Sequence, residues 1–312
     1  MCLLAAVLFI SVGCGGGQKN TGRQIQFAPV EPGVVKAMTF NIRVDTFLDG
    51  FNRWNNRKER VIEMLASNEP DVIGLQEALD FQVEDVVRAM PQYMVYAVGR
   101  NDGVKGESCA IFYRKDRFKL VDSGTFWFSD TPQEPGSKDW GNLPPRICSW
   151  VYLVEKGTKK GFYAYNVHLD NMSQNSRRKS TQLLAKEIAA RKMPSPFIVM
   201  GDFNMDLNNS AMRYLQNISG KSPYPKMIDS WQSVHGDKSG TGTGTRHSII
   251  DGLSGPRIDH IPISENARAL EVSIDQRQID GRYPSDHFPV IAKILLDEKP
   301  AIAMAKGKKS LD

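Results

Sequence analysis

The chain has 312 residues, 41% hydrophobic and 24% charged, a balance that fits a folded soluble protein and excludes a low-complexity or collagen-like one. That length allows one large domain or two ordinary ones. Forty Lys and Arg against 35 Asp and Glu leave a net charge of +5, which favours anionic partners, but no long basic block singles out nucleic acid.

Cys2 to Val12 is apolar and runs into Gly13-Cys14-Gly15-Gly16-Gly17. The run is shorter than the roughly 20 residues a helix needs to cross a bilayer, so it reads as the core of an export signal. Its Val12-Gly13-Cys14 end resembles a bacterial lipoprotein box. That resemblance implies a signal over residues 1–14, a lipid anchor on Cys14 and a place in the cell envelope, on the periplasmic or surface side. Residues 15–33 read as a tether. Cys109 and Cys148 lie in apolar runs and are expected as two separate buried thiols; no cysteine pair has metal-site spacing.

Val34 to Phe40 is strand-like and ends at Asn41 and Arg43. Asp45 to Asn56 is polar and reads as a loop. Val61, Met64 and Leu65 give helical spacing over Arg57 to Ser67, stopped by Pro70. Val72 to Leu75 is a buried strand ending at Gln76-Glu77, and a helix follows from Asp80 to Ala89. Cys109–Arg114, Phe118–Phe128, Arg146–Val154 and Gly161–Val167 are rich in β-branched and aromatic residues and predict an antiparallel meander. Ser129 to Pro145 is a Pro/Gly-rich loop. Ser176 to Arg191 is an amphipathic helix with Leu183, Leu184 and Ile188 facing inward. Phe197 to Met200 is a strand, and a short helix follows around Ser210 to Asn217. The chain is then irregular, with a low-complexity stretch from Gly240 to Thr245, until strands at Arg257–Ile261 and Phe288–Leu296. Residues 298–312 form a polar tail. No break resembles a linker, so residues 34–297 read as one domain.

One event recurs along this chain. Apolar strands end, and polar side chains follow at once: Asn41, Glu77, His168 with Asp170, Asp202 with Asn204, Asp259, and Asp286 with His287. Delivered to one sheet edge, these groups would build a polar pocket on a rigid base. Many carboxylates with few soft ligands suit a hard cation, Mg²⁺ or Mn²⁺, rather than zinc. There is no Gly-x-Ser-x-Gly elbow and no Gly-x-x-x-x-Gly-Lys loop. Attack of water on phosphorus is the natural reaction class.

Thr39-Phe40-Asn41-Ile42-Arg43, Leu75-Gln76-Glu77, Asn166-Val167-His168-Leu169-Asp170, Gly201-Asp202-Phe203-Asn204, Arg257-Ile258-Asp259-His260 and Ser285-Asp286-His287-Phe288 resemble, in order, the motifs of the endonuclease/exonuclease/phosphatase (DNase I-like) superfamily. The likeness is greatest to exported bacterial members of undefined substrate. It implies an α/β fold, a four-layered α/β sandwich of two face-to-face mixed sheets flanked by helices. It implies metal binding by Glu77, with Asn41 and Asp286 beside it. Asp202 would activate the attacking water, and Asn204 would hold a non-bridging oxygen. His287 would contact the phosphate, fixed by Asp259, and His168 would stabilise or protonate the leaving oxygen. Arg43, Glu107 (as a partner of His168) and His247 are candidate substrate contacts. The expected activity is a divalent-metal-dependent phosphoesterase, a phosphodiesterase first. Its alternatives are a phosphomonoesterase or a non-catalytic binding lipoprotein. The expected substrate is a phosphate ester in nucleic acid, in a phospholipid or inositol head group, or in a phosphorylated sugar. No protein partner is expected.

Overall fold

The computed structural model describes residues 25, 27–220, 222–236, 243–250, 252 and 255–296. The expected signal, Cys14, the early tether, the first half of the low-complexity stretch and the tail lie outside them. The described end of the expected tether is not free. Phe27 meets Tyr93 edge-on at 5.9 Å and lies under the Arg114 guanidinium at 3.6 Å, because its ring gains more by covering apolar surface than by staying in water.

The first strand, β1 (Val34–Asn41), leads through a 3-10 turn (Phe47–Asn52) into α1 (Trp54–Asn68). The turn and the helix's first residues occupy what the composition predicts as loop; Trp54 is fully buried and fixes the earlier start. Glu69, left-handed at φ 46°, ends α1 one residue before Pro70. Next come β2 (Val72–Ala78), α2 (Asp80–Ala89), β3 (Tyr93–Tyr96) and β4 (Ser108–Arg114). Strands β5 (Phe118–Trp127), β6 (Ile147–Glu155) and β7 (Gly161–His168) follow, then α3 (Gln174–Ala189), whose first turn is capped by the Ser173 hydroxyl. Then come β8 (Phe197–Asp202), α4 (Ser210–Leu215), β9 (Met227–Asp229) and α5 (Ser230–His235). The chain closes with β10 (Asp259–His260), β11 (Pro262–Ser264), β12 (Ala267–Ile274) and β13 (Val290–Leu296).

Two mixed sheets form. One runs β12-β13-β1-β2-β4-β3; the other runs β5-β6-β7-β8-β11-β9, with β10 paired to β8. The predicted meander is therefore split: β4 joins the first sheet between β2 and β3, and only β5 to β7 stay consecutive. The sheets face each other across a core that includes Val35, Ile111, Leu153, Ile198 and Met200. α1 and α2 cover the outside of the first sheet, and α3 and α4 cover the second, giving four layers. No helix among the described residues is long and apolar enough to cross a membrane.

The layers set where the strands end. β1 and β2 are parallel, with Asn41 beside Gln76, and β7 and β8 are parallel, with His168 beside Asp202. β10 runs back along β8 and puts Asp259 opposite Asp202. A Cβ on Gly201 would lie 2.3 Å from the Val167 carbonyl, so glycine is needed immediately before Asp202 for β7 and β8 to approach. Beneath this edge the inter-sheet core turns polar. Gln76 Nε2 donates to Asn166 Oδ1 at 2.7 Å, and Asn166 Nδ2 donates to the Leu75 and Ala110 carbonyls. The bonds tie the sheets together directly below the strand ends.

Candidate active site

Asp202 is the hub. Its Oδ2 accepts from Asn41 Nδ2 at 3.1 Å and lies 3.6 Å from His168 Nε2 and 3.9 Å from His287 Nε2. Its Oδ1 accepts from the Asn204 backbone N–H at 2.9 Å. The same Asn41 amide donates to Glu77 Oε1 at 3.0 Å, and Glu77 Oε2 accepts from the Val44 N–H at 2.8 Å. His287 Nδ1 donates to Asp259 Oδ2 at 2.8 Å. Asn41, Asp202 and Asp259 are each 1% exposed or less, so nearly all of this polarity is out of bulk water.

The electrostatics separate the two histidines. Burial would depress His287, but the charge and hydrogen bond of Asp259, with Asp202 and Asp286, raise it to about 10. His287 is thus an imidazolium at neutral pH. His168 goes the other way: burial, then Arg146 and Arg100, hold its pKa well below the usual histidine value. Burial and the Asp259 charge push Asp202 up to about 7, against the pull of His287. Asp202 therefore holds a proton more readily than an ordinary carboxylate, as a base that must take one requires.

Backbone strain gathers at the same edge. Arg43, Glu77 and Asn204 are non-glycine residues at φ 60°, 58° and 53°. Each is held in place. Asn41 Oδ1 accepts from the Arg43 N–H, Glu77 sits where the β2–β4 register shifts, and Asn204 Nδ2 donates to the Leu169 carbonyl. Arg43 forks onto Asp49 at 2.8 Å through Nε and Nη2, and reaches Asp286 at 2.6 Å through Nη1. Arg57, fully buried on α1, donates to the carbonyls of Ile42, Arg43, Asn52 and Pro284. It clamps the Arg43 loop to the segment that leads into Asp286 and His287.

Two expected contacts differ. Glu107 does not pair with His168; its carboxylate accepts from Arg100, the nearer guanidinium on the same loop. The His168 partner is Arg146, whose Nη1 lies 3.0 Å from Nε2, while its Nε reaches Asp170 at 3.4 Å and its Nη2 reaches Asn171 at 3.1 Å. His247 packs behind the site, stacked on Phe288 with centroids 3.7 Å apart, and its N–H donates to the Asp286 carbonyl. Its Nδ1 faces the Ser248 carbonyl at 2.8 Å, and its Nε2 is buried with no partner. The sequence reading gives Arg146, Arg57 and Thr245 no role in the site. Thr245 Oγ1 accepts from both the Ile258 and Asp259 N–H groups, and its carbonyl accepts from Phe288, so it joins the Asp259 and His287 segments.

The donor set fits a hard divalent cation. Glu77 and the Asn41 amide form an oxygen-bearing pair at the rim; Asp286 is held by Arg43, and its neighbour Ser285 donates to the Asn41 carbonyl. Asp259 Oδ1 is buried without a partner, and polar atoms of Asp202, Asp259 and His287 lie within 4.8 Å of one another, but an imidazolium at His287 has no lone pair for a cation, which leaves the Glu77 side to hold it. Cys109 and Cys148 are free and buried, as expected, and add no soft ligand.

A solved structure from Bacteroides thetaiotaomicron, an endonuclease/exonuclease/phosphatase family protein, is 30% identical, with a TM-score of 0.78 over 86% of this chain and 100% of its own. A mannosyl-6-phosphatase from the same organism is also 30% identical, with a TM-score of 0.75 over 84% of this chain and 100% of its own. An uncharacterized protein of Acanthamoeba polyphaga mimivirus is 32% identical over 163 residues, which are 49% of this chain and 60% of that relative. The chain therefore spans less than two thirds of that curated relative. The model of the endonuclease/exonuclease/phosphatase family matches residues 38–287, the span that carries every strand-end residue of the site. With a matching sandwich and a matching sequence span, the chain belongs to the endonuclease/exonuclease/phosphatase family and is a phosphoric ester hydrolase.

Proposed function

We propose that the chain is a divalent-metal-dependent phosphodiesterase that works by direct attack of water on phosphorus. The observation that supports this most is the meeting of a buried carboxylate of raised proton affinity, Asp202, with a buried imidazolium, His287, beside the Glu77–Asn41 pair. Asp202 Oδ2 takes the proton of the attacking water as the water oxygen bonds to phosphorus. The P–O ester bond breaks, and the departing alcohol is protonated from solvent. The His287 imidazolium, braced by Asp259, meets the negative phosphate. Asn204 has one amide hydrogen on Leu169 and offers the other to a non-bridging oxygen. His168 is neutral and accepts from Arg146, so the pair steadies charge on the leaving oxygen rather than supplying a proton to it. Glu77 with Asn41, and Asp286 beside them, would hold Mg²⁺ or Mn²⁺, which supplies positive charge to the phosphate when bound.

A phosphomonoesterase acting on a phosphorylated sugar is the second reading, favoured by the 30% identity to a mannosyl-6-phosphatase. Parallel assays on DNA, RNA, phospholipid, phosphoinositide, sugar phosphate and a nitrophenyl phosphodiester test both readings. Metal-dependent release from diesters supports the first; release confined to monoesters replaces it with the second. The envelope location rests on the Cys2–Val12 run and Cys14. Mass spectrometry of the N-terminal peptide from exported protein tests it, and an unmodified Cys14 would refute the anchor.

A further inference from the structure

The most exposed large hydrophobic side chains share one end of the molecule. Among the described residues only seven exceed two thirds exposure, and the next, Val121, is at 55%. Leu48 (92%), Phe51 (85%) and Phe47 (84%) crowd the 3-10 turn after β1. Val104 (76%) lies on the β3–β4 loop and Leu143 (68%) on the β5–β6 loop. Met172 (71%) follows β7 directly, and Ile250 (83%) stands on the segment bridged to His287. All five loops leave the edge where Asn41, His168 and Asp202 are delivered. At the opposite end the comparable residues are less exposed, Ile218 after α4 at 54% and Met193 before β8 at 47%.

We infer that the site end docks on a lipid surface and that the phosphate esters hydrolysed are those of phospholipids presented there. The substrate half rests on the phosphoesterase reading; the docking half does not. The turn is built to leave water. Its charges are closed internally, Arg43 on Asp49 and Arg53 on Asp45 at 2.5 Å. Two of its amides are bonded within it, Asp49 N–H to Thr46 O and Arg53 N–H to Gly50 O. Burying Phe47, Leu48 and Phe51 therefore strands no charge and no backbone donor of those two residues. A protein partner needs a contiguous, closely packed apolar centre. Here the apolar groups stand on separate loops around an open polar site, so each can enter a fluid surface on its own. The closed ion pairs of the turn leave it no free charge for anionic lipid to grip.

Hydrogen–deuterium exchange of the full chain with phosphatidylcholine vesicles tests this. Residues 44–53 and 139–146 are expected to gain protection, residues 190–196 to gain none, and high salt to leave the pattern unchanged. F47S/L48S/F51S should lose the protection and cut hydrolysis of vesicle phospholipid on the order of 100-fold. Hydrolysis of a soluble nitrophenyl phosphodiester should stay within about two-fold, since none of the three residues lines the chemistry. Unprotected site-end loops, or equal vesicle hydrolysis by variant and parent, overturn the inference. So does protection of these loops without vesicles that rises with protein concentration, which would mark a second copy as the occupant. Vesicle-dependent protection with no ester of any kind hydrolysed would leave the docking intact and sink the phosphoesterase reading instead.

Discussion

Asp202 and His287 lie in one buried cluster, yet their surroundings push both to hold protons, while His168 across the hub is kept neutral. The difference comes from neighbours, not from depth. Both imidazoles are buried; one faces Asp259 and the other Arg146. Removing Arg146 removes a like charge, so the His168 pKa should rise in R146A. Carbon-detected NMR of labelled histidine checks this, and an unchanged titration would mean that Arg146 does not set the state of His168. Expressed as rates, R146A should also slow leaving-group departure, with a larger loss for poor leaving groups than for nitrophenol. The strand-end residues of this cluster were legible because apolar runs stop abruptly at Asn41, Glu77 and Asp202. Arg146 was not. It stands after Pro144-Pro145 at the head of an apolar strand, and only the β6–β7 register turns it toward His168.

At the scale of elements, two buried charged groups hold the site loops. Arg57 reaches back from α1 to four carbonyls. Arg57→Met should leave several of these unpaired and cost about 3 kcal/mol in urea unfolding, since each buried unsatisfied group costs roughly 1–3 kcal/mol. A loss under about 0.5 kcal/mol, the level of an ordinary surface change, would contradict the clamp. Asp229 does the same work at the β9 edge. It accepts from Arg257 at 3.1 Å and from His260 at 3.2 Å, while His260 Nε2 donates to the Met205 carbonyl just beyond Asn204. Burial alone would raise Asp229, but its His260 and Arg257 contacts hold it below its ordinary value of 3.8. Its folded pKa is depressed, so its stabilisation is present above about pH 4 and lost as pH falls through the folded value. Asp229→Asn should therefore lower stability by about 3 kcal/mol at neutral pH and flatten the acid limb of a stability–pH curve. An acid limb as steep as the parent's would refute it. β9 and α5 were missed in the sequence because three and six residues show no periodicity, and β3 because four residues resemble a turn edge. Apart from β12, an eight-residue edge strand that buries few side chains and was read as irregular chain, the long strands and helices were legible to within a few residues.

For the whole molecule, the sandwich acts as a jig. Two sheets, each with one parallel pair near its centre, are locked by Gln76 and Asn166 just below the edge that carries the chemistry. The pairing of β4 with β2 was not readable from composition, since a β-rich run does not say which sheet it joins. The outcome is one rigid floor with five loops above it, and the account needs that floor to present a base to water and a cation site to phosphate together. The most direct test is turnover of a nitrophenyl phosphodiester by the parent protein and by Asp202→Asn, each with Mn²⁺ and with EDTA. The account predicts turnover by the parent only with metal, and a fall on the order of 10²–10⁴-fold in the variant, with the fold intact by circular dichroism. Turnover that persists in EDTA, or that survives loss of the Asp202 carboxylate, would contradict it.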